Sequence, residues 1–212
     1  MYKKLSYKPH KECPAKNRNN ETNDDSLEKD LTGEIILKDI NVKDDIINIS
    51  EKDSKIIKET YEIYKKNGVD NTLKVFIRMF IEHPEYKVIW PQFREIPDSS
   101  FILSSALRKH AEVYVAGLSI IIDNIEDKEK MKILIKKIAL AHVKWTIKKC
   151  HVDNMLPEIL YVLKEIVPNY NKEVECAWTI LYNIIGDLLE EFKKDHKKNK
   201  NYFGNTSFSN EK

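Results

Sequence analysis

Two histidines on the apolar faces of consecutive predicted helices are the side chains best placed for chemistry. The first lies in SSFILSSALRKHAEVYVAGLSIIIDNI, which covers residues 99–125. Apolar residues recur there at steps of three and four, and this period puts them on one side of an α-helix. The histidine falls within that stripe, whose members are Leu107, His110, Tyr114, Leu118 and Ile121.

The second histidine lies in KEKMKILIKKIALAHVKW, residues 128–145. The same spacing there groups Leu134 or Ile135 with Ile138 and His142. For either histidine alone, a hydrogen-bonded position in the core is the commoner role. Two imidazoles that face inward from neighbouring helices, however, are what a metal held between those helices requires. The first cofactor to consider is therefore a flat iron porphyrin.

The composition indicates a single helical domain with polar ends. The chain has 212 residues, enough to bury a core, and contains only 5 glycines and 7 prolines, which favours long helices. Its net charge of +2 gives no field that would attract nucleic acid or a membrane surface. The longest apolar run, near residues 113–122, is too short to span a bilayer. We therefore expect neither a nucleic-acid partner nor a membrane span.

The cysteine pattern and the first residues favour a cytoplasmic protein. MYKKLSYKPHKECP has no apolar stretch of the length found in secretion signals. Cys13, Cys150 and Cys176 are few and are not spaced as metal ligands, so we expect free thiols.

Differences in composition divide the chain into three regions. Residues 1–48 are polar, and we expect them to be a mostly disordered extension. Residues 49–192 form the helical domain, with breaks predicted at Asn67-Gly68, His83-Pro84, Asp153-Asn154 and Pro168-Asn169. The break at Asp153-Asn154 would place Pro157 in the first turn of the next helix. Residues 193–212 are a Lys/Asn-rich, solvated tail, and no strand pattern is present.

The order of these features resembles the globin family, especially its invertebrate and nematode members. FIRMFIEHPEYKVIWPQF is similar to the segment that leads through a proline-started helix to the corner phenylalanine, here Phe93. LRKHA is similar to the distal-histidine segment, and ALAHVKW to the proximal one. Tyr61 and Trp178 suit aromatic positions of the first and last helices. The resemblance implies an all-α globin fold, a 3-over-3 helical sandwich, over about residues 49–192.

The resemblance also implies roles for individual residues. His142 would be the proximal ligand of haem b iron, and His110 would bind the gas ligand by a hydrogen bond or occupy the sixth position itself. Tyr114 stands where the family usually has an aliphatic residue: it would donate a hydrogen bond, plug the pocket, or pack as core. The other residues expected to contact the cofactor are Phe93, Phe76, Leu107, Ile138, Val152 and Leu160.

Three functions follow from these expectations. The first is reversible binding, and so transport, of dioxygen or another diatomic gas. The second is a six-coordinate haem protein for redox chemistry or gas sensing, and the third is a haem-free interaction module. No nucleophile–base pair stands out, so an enzyme is not the expectation, although a haem redox side activity is left open. A homodimer and a redox partner are left open too.

Overall fold

The computed structural model describes the backbone of residues 46–143, 145 and 147–204, and side chains up to residue 194 with the exception of Val143. The chain divides into residues 1–43 and residues 44–212, and the described residues belong to the second unit. These residues are all-helical, as predicted, and contain no strand. The helices are α1 (Glu51–Lys65), α2 (Gly68–Glu82), a 3-10 helix (Pro84–Ile89), α3 (Pro91–Arg94), α4 (Asp98–Phe101), α5 (Ser105–Asp123), α6 (Lys128–Val143), α7 (Lys149–Ile166) and α8 (Lys172–Gly204).

Local sequence signals set several of these helix ends. Ser50 precedes α1, and its hydroxyl oxygen accepts a hydrogen bond from the Asp53 backbone N–H at 3.0 Å. Ser104 accepts from the Leu107 N–H in the same way at 3.2 Å, so it fixes the start of α5. These contacts satisfy donors that a helix N-terminus leaves unpaired. The predicted break at His83-Pro84 is also present, because α2 ends at Glu82.

The predicted break at Asp153-Asn154 is wrong, because α7 begins at Lys149 and runs through both residues. Asp and Asn side chains often interrupt a helix by hydrogen-bonding to the nearby backbone, but Asp153 and Asn154 bond to other side chains instead. Asp153 pairs with Lys149 at 3.2 Å, and the Asn154 amide donates to the Tyr86 hydroxyl at 2.6 Å. Pro157 consequently lies inside the helix rather than in its first turn.

Two other predicted helix ends differ from the structure. We expected α6 to reach residue 146 or 149, but it ends at Val143, and Trp145 lies in a turn. At the other end of the chain, α8 continues beyond Phe192 to Gly204, and Lys193 is buried. The predicted extension up to residue 45 and the last eight residues of the predicted tail lie outside the described residues.

Helices α1 and α8 pack against the two histidine helices, α5 and α6, and hold them in place. Trp178 on α8 is fully buried, and its indole N–H donates to the Thr60 hydroxyl oxygen at 2.9 Å. The next residue, Tyr61, has its ring against Trp178 and its hydroxyl 2.7 Å from the Ser119 hydroxyl of α5. Helix α8 also packs along α6 and α7, and α2 packs against α5. The predicted core aromatics Tyr61 and Trp178 therefore connect the first helix to α5 and α8.

Two further sequence expectations concern membranes and thiols. In the part of the chain that the structure describes, no helix is long and apolar enough to cross a bilayer. Cys176 is a free, exposed thiol, as expected.

Candidate haem site

His142 lies in the last turn of α6 and has a defined tautomer. Its Nδ1 atom is 2.7 Å from the carbonyl oxygen of Ile138. A carbonyl oxygen only accepts, so Nδ1 carries the proton and Nε2 keeps its lone pair. Burial lowers the pKa of His142, while this hydrogen bond opposes the shift. The result is a neutral imidazole with one free lone pair, which is the form that binds a metal.

His110 lies in the second turn of α5 within a group of aromatic rings. Its ring centroid is 5.2 Å from that of Phe76, which it stacks on, 5.5 Å from Trp90 and 5.6 Å from Phe93. Burial, and to a lesser extent electrostatic repulsion from His142, lower the pKa of His110 to about 4. His110 is therefore neutral near pH 7.

The exposure pattern of α6 separates a core face from a second face. Ile135 and Ala139 are fully buried, whereas Leu134, Ile138 and His142 are half-buried. Of the two residues that the sequence left open, Leu134 thus shares the histidine's stripe. His110 is half-buried as well, although burial has shifted the pKa of both histidines. Both imidazoles thus keep some exposure, whereas Ile135 and Ala139 beside His142 fill the core.

The structure brings three more of the expected contact residues close to His110. Phe76 and Phe93 are buried and touch its ring, and both come from elements outside α5. Leu107 is fully buried one turn before it on the same helix. They provide an apolar, largely aromatic wall.

The Tyr114 side chain directs its hydroxyl toward α8. That hydroxyl is hydrogen-bonded to the Tyr182 hydroxyl, and the Tyr114 ring meets Phe76 edge-on at 5.4 Å. Burial raises the pKa of both tyrosines well above the ordinary value. Of the roles left open by the sequence, packing between α5 and α8 fits these contacts, because the hydroxyl has a partner there.

Val152 and Leu160 are half-buried on α7. The fully buried positions of that helix are Ile159, Val162 and Leu163. None of the described hydrogen bonds or ring contacts joins Val152 or Leu160 to either histidine, so their contact with a cofactor stays a prediction.

Trp90 is the site residue that sequence reasoning missed. It is 6% exposed, and its indole N–H is the buried side-chain polar group left without a hydrogen-bond partner among the described residues. Its ring lies against His110, Phe93 and Phe80. The signal available in the sequence was a tryptophan, with its indole donor, three residues before the corner phenylalanine Phe93.

These features fit an iron porphyrin better than a metal held by side chains alone. No group of three or more His, Cys, Asp or Glu side chains that could hold a metal occurs in the described ranges. A single imidazole lone pair suffices as a protein ligand when a macrocycle supplies the other ligands to the iron. The aromatic wall around His110 suits a flat apolar ring.

Comparison with known proteins points the same way. The family model described as Globin matches residues 73–189. Cytoglobin-2 of Oryzias latipes is 29% identical over 136 residues, which cover 63% of this chain and 76% of that protein. Anaerobic nitrite reductase SYMA of Casuarina glauca is 25% identical, over 69% of this chain and 99% of its own. The fold is similar to that of a hexacoordinated heme protein from an anhydrobiotic tardigrade, with a TM-score of 0.63 at 13% identity, covering 72% of this chain and 99% of the other.

Proposed function

The chain belongs to the globin family and binds haem, and from that premise we propose that it binds dioxygen reversibly at haem b in the cytoplasm. The observation that carries this proposal is the neutral His142 imidazole, whose Nδ1 is held by Ile138 while Nε2 stays free. Bound haem would supply an iron able to bind both an imidazole nitrogen and a diatomic gas. All other steps below belong to side chains of this protein.

His142 serves as the proximal ligand. Its hydrogen bond to the Ile138 carbonyl orients the ring and makes Nε2 the more basic nitrogen. Ile138 itself lies one turn earlier on the same half-buried stripe and can pack against the porphyrin. A backbone partner fixes the ring without introducing a second charge into the apolar site.

His110 serves on the distal side. Because its pKa lies at about 4, it is neutral at physiological pH and carries one ring N–H. That N–H can donate to a gas molecule whose outer atom bears partial negative charge. One such bond in a low-dielectric pocket is worth about 1–3 kcal/mol, or one to two orders of magnitude in affinity.

A second candidate is a haem protein that is six-coordinate at rest and acts in redox chemistry or gas sensing. The same neutral His110 has a lone pair that can occupy the sixth position, and three aromatic rings pack around it. The tardigrade protein of similar fold is described as hexacoordinated, and the Casuarina relative as a nitrite reductase. A redox partner would then be needed to reduce the iron.

Absorption spectra of the purified protein, ferric and ferrous, test these proposals together. Wild type is compared with His142→Ala and His110→Ala. We expect a Soret band in wild type and its weakening or loss in His142→Ala. A five-coordinate ferrous spectrum with stable dioxygen uptake supports oxygen binding. A six-coordinate spectrum that His110→Ala converts to five-coordinate supports the second candidate, and absence of any Soret band would leave only the haem-free interaction module.

A further inference from the structure

The unpaired indole N–H of Trp90 is the polar feature of the site that the proposed function does not use. A buried donor without a partner costs about 1–3 kcal/mol relative to a satisfied one, so native structures rarely keep one without a reason. Trp178 shows how this chain treats an indole that serves packing alone, since its N–H is satisfied by Thr60 at 2.9 Å. The two tryptophans thus differ in this respect.

The neighbours of Trp90 restrict what its N–H can meet. Its ring is 5.5 Å from that of His110 and 5.9 Å from that of Phe80, which places it on the distal side of the site. A porphyrin carboxylate is a poor occupant of this corner, because a buried charge requires more than one donor and favours a cation or solvent beside it. Trp90 is only 6% exposed, and its ring contacts are His110, Phe80 and Phe93. A small neutral molecule with a partially negative end suits the position better.

We propose that Trp90 is a ligand-discriminating residue, whose indole N–H donates a hydrogen bond to the outer atom of a diatomic gas in the distal pocket. This inference depends on the proposed function, because it requires haem to hold the gas. Trp90 would then be a second hydrogen-bond donor in the pocket in addition to His110, whereas Phe76 has no donor group. The bond strengthens with negative charge on the outer atom, so it favours dioxygen over carbon monoxide.

Trp90→Phe is the variant that tests the proposal, since it keeps an aromatic ring and removes the N–H. We expect dioxygen to dissociate three- to tenfold faster, as expected for the loss of one neutral hydrogen bond. Carbon monoxide dissociation should change less than twofold. The C–O stretching frequency of the carbon monoxide complex should move to higher wavenumber, because a positive donor no longer draws charge toward oxygen.

Two further variants make the result specific. Trp178→Phe removes an indole N–H that Thr60 already uses, so it should leave the C–O stretch and dioxygen dissociation unchanged. His110→Leu removes the other donor, and in that background Trp90→Phe should still shift the C–O stretch. Thermal unfolding of each haem-loaded variant shows that the compared proteins are folded.

The possible outcomes distinguish a failure of the proposed Trp90 role from a failure of haem binding. A wild-type protein without a Soret band contradicts haem binding itself. A haem-loaded protein in which Trp90→Phe alters neither dioxygen dissociation nor the C–O stretch overturns the role of Trp90 alone. Faster haem loss from Trp90→Phe with an unchanged C–O stretch also overturns it, and assigns the indole to a porphyrin carboxylate.

Discussion

The Nδ1 atom of His142 lies 2.7 Å from the carbonyl oxygen of Ile138, the residue four positions earlier on α6. This single contact fixes the tautomer of the imidazole and directs its lone pair away from the helix. The helix itself therefore prepares the ring for a metal before any cofactor is present, which reduces the cost of ordering the ligand.

We predict that His142→Gly abolishes stoichiometric haem retention and that free imidazole restores it. Removing the side chain deletes the iron ligand but leaves a space that imidazole can enter. The measurement is the Soret absorbance of purified protein with and without imidazole. His83→Gln is the matched control, since His83 stacks on Tyr86 outside the two-histidine site and should leave the Soret band intact. Full haem retention by His142→Gly would assign the iron to another residue, such as His151.

The buried contact between Trp178 and Thr60 gives a second prediction. Thr60→Val keeps the shape of the side chain but leaves the Trp178 indole N–H without an acceptor. We expect the free energy of unfolding to fall by about 1–3 kcal/mol. Thr179→Val is the control, because the Thr179 hydroxyl bonds only its own helix, at the Glu175 carbonyl. Chemical denaturation of both variants decides the matter, and equal losses would contradict the assigned role of Thr60.

Gly186 gives a third prediction, because Lys149 crosses α8 at that point. A Cβ at position 186 would lie 3.2 Å from the Cγ atom of Lys149. The Lys149 side chain is held there by ion pairs of its ammonium group with Asp153 and Asp187, at 3.2 Å each. Alanine gains about 1 kcal/mol over glycine in a helix interior. We expect Gly186→Ala to gain that amount only in a Lys149→Ala background, and clearly less in wild type.

A double-mutant cycle by chemical denaturation measures this coupling. An equal effect of Gly186→Ala in both backgrounds would show that Lys149 moves aside at no cost, and would contradict the prediction.

The pH dependence of stability gives a fourth prediction, through His151. This residue is buried at the start of α7, where its Nδ1 accepts the Lys148 backbone N–H at 2.8 Å. Burial lowers the pKa of His151 to about 4, from an ordinary value of 6.5. Between these two values the unfolded chain binds a proton that the folded chain does not. The free energy of unfolding should therefore fall with falling pH, by about 1.4 kcal/mol per unit for one group.

His151→Gln should reduce this slope between pH 6.5 and 4 by the contribution of one proton, and the contributions of His110 and His142 should remain. Urea titrations of the haem-free protein at several pH values measure the slope, and an NMR titration of the His151 ring locates its pKa. An identical slope in wild type and variant would show that His151 is not the group responsible.

The sequence predicted some helix ends well and others poorly, for a physical reason. Pro84 acts locally, because a proline disfavours helical geometry in the residue before it, and His83-Pro84 marks a real boundary. Asp153 and Asn154 read locally as a break, yet their side chains bond Lys149 and Tyr86 and the helix continues. A local pattern cannot reveal a partner that is distant along the chain.

By itself, the sequence determined the class of fold and the two histidines, since helical periodicity and side-chain type are properties of short segments. Only the tertiary structure decided how the site is completed, because hydrogen-bond satisfaction depends on residues far apart in the chain. The Tyr114 hydroxyl is taken up by Tyr182, 68 positions away. Within the described part of the chain the Trp90 N–H meets no acceptor, which no local pattern could show.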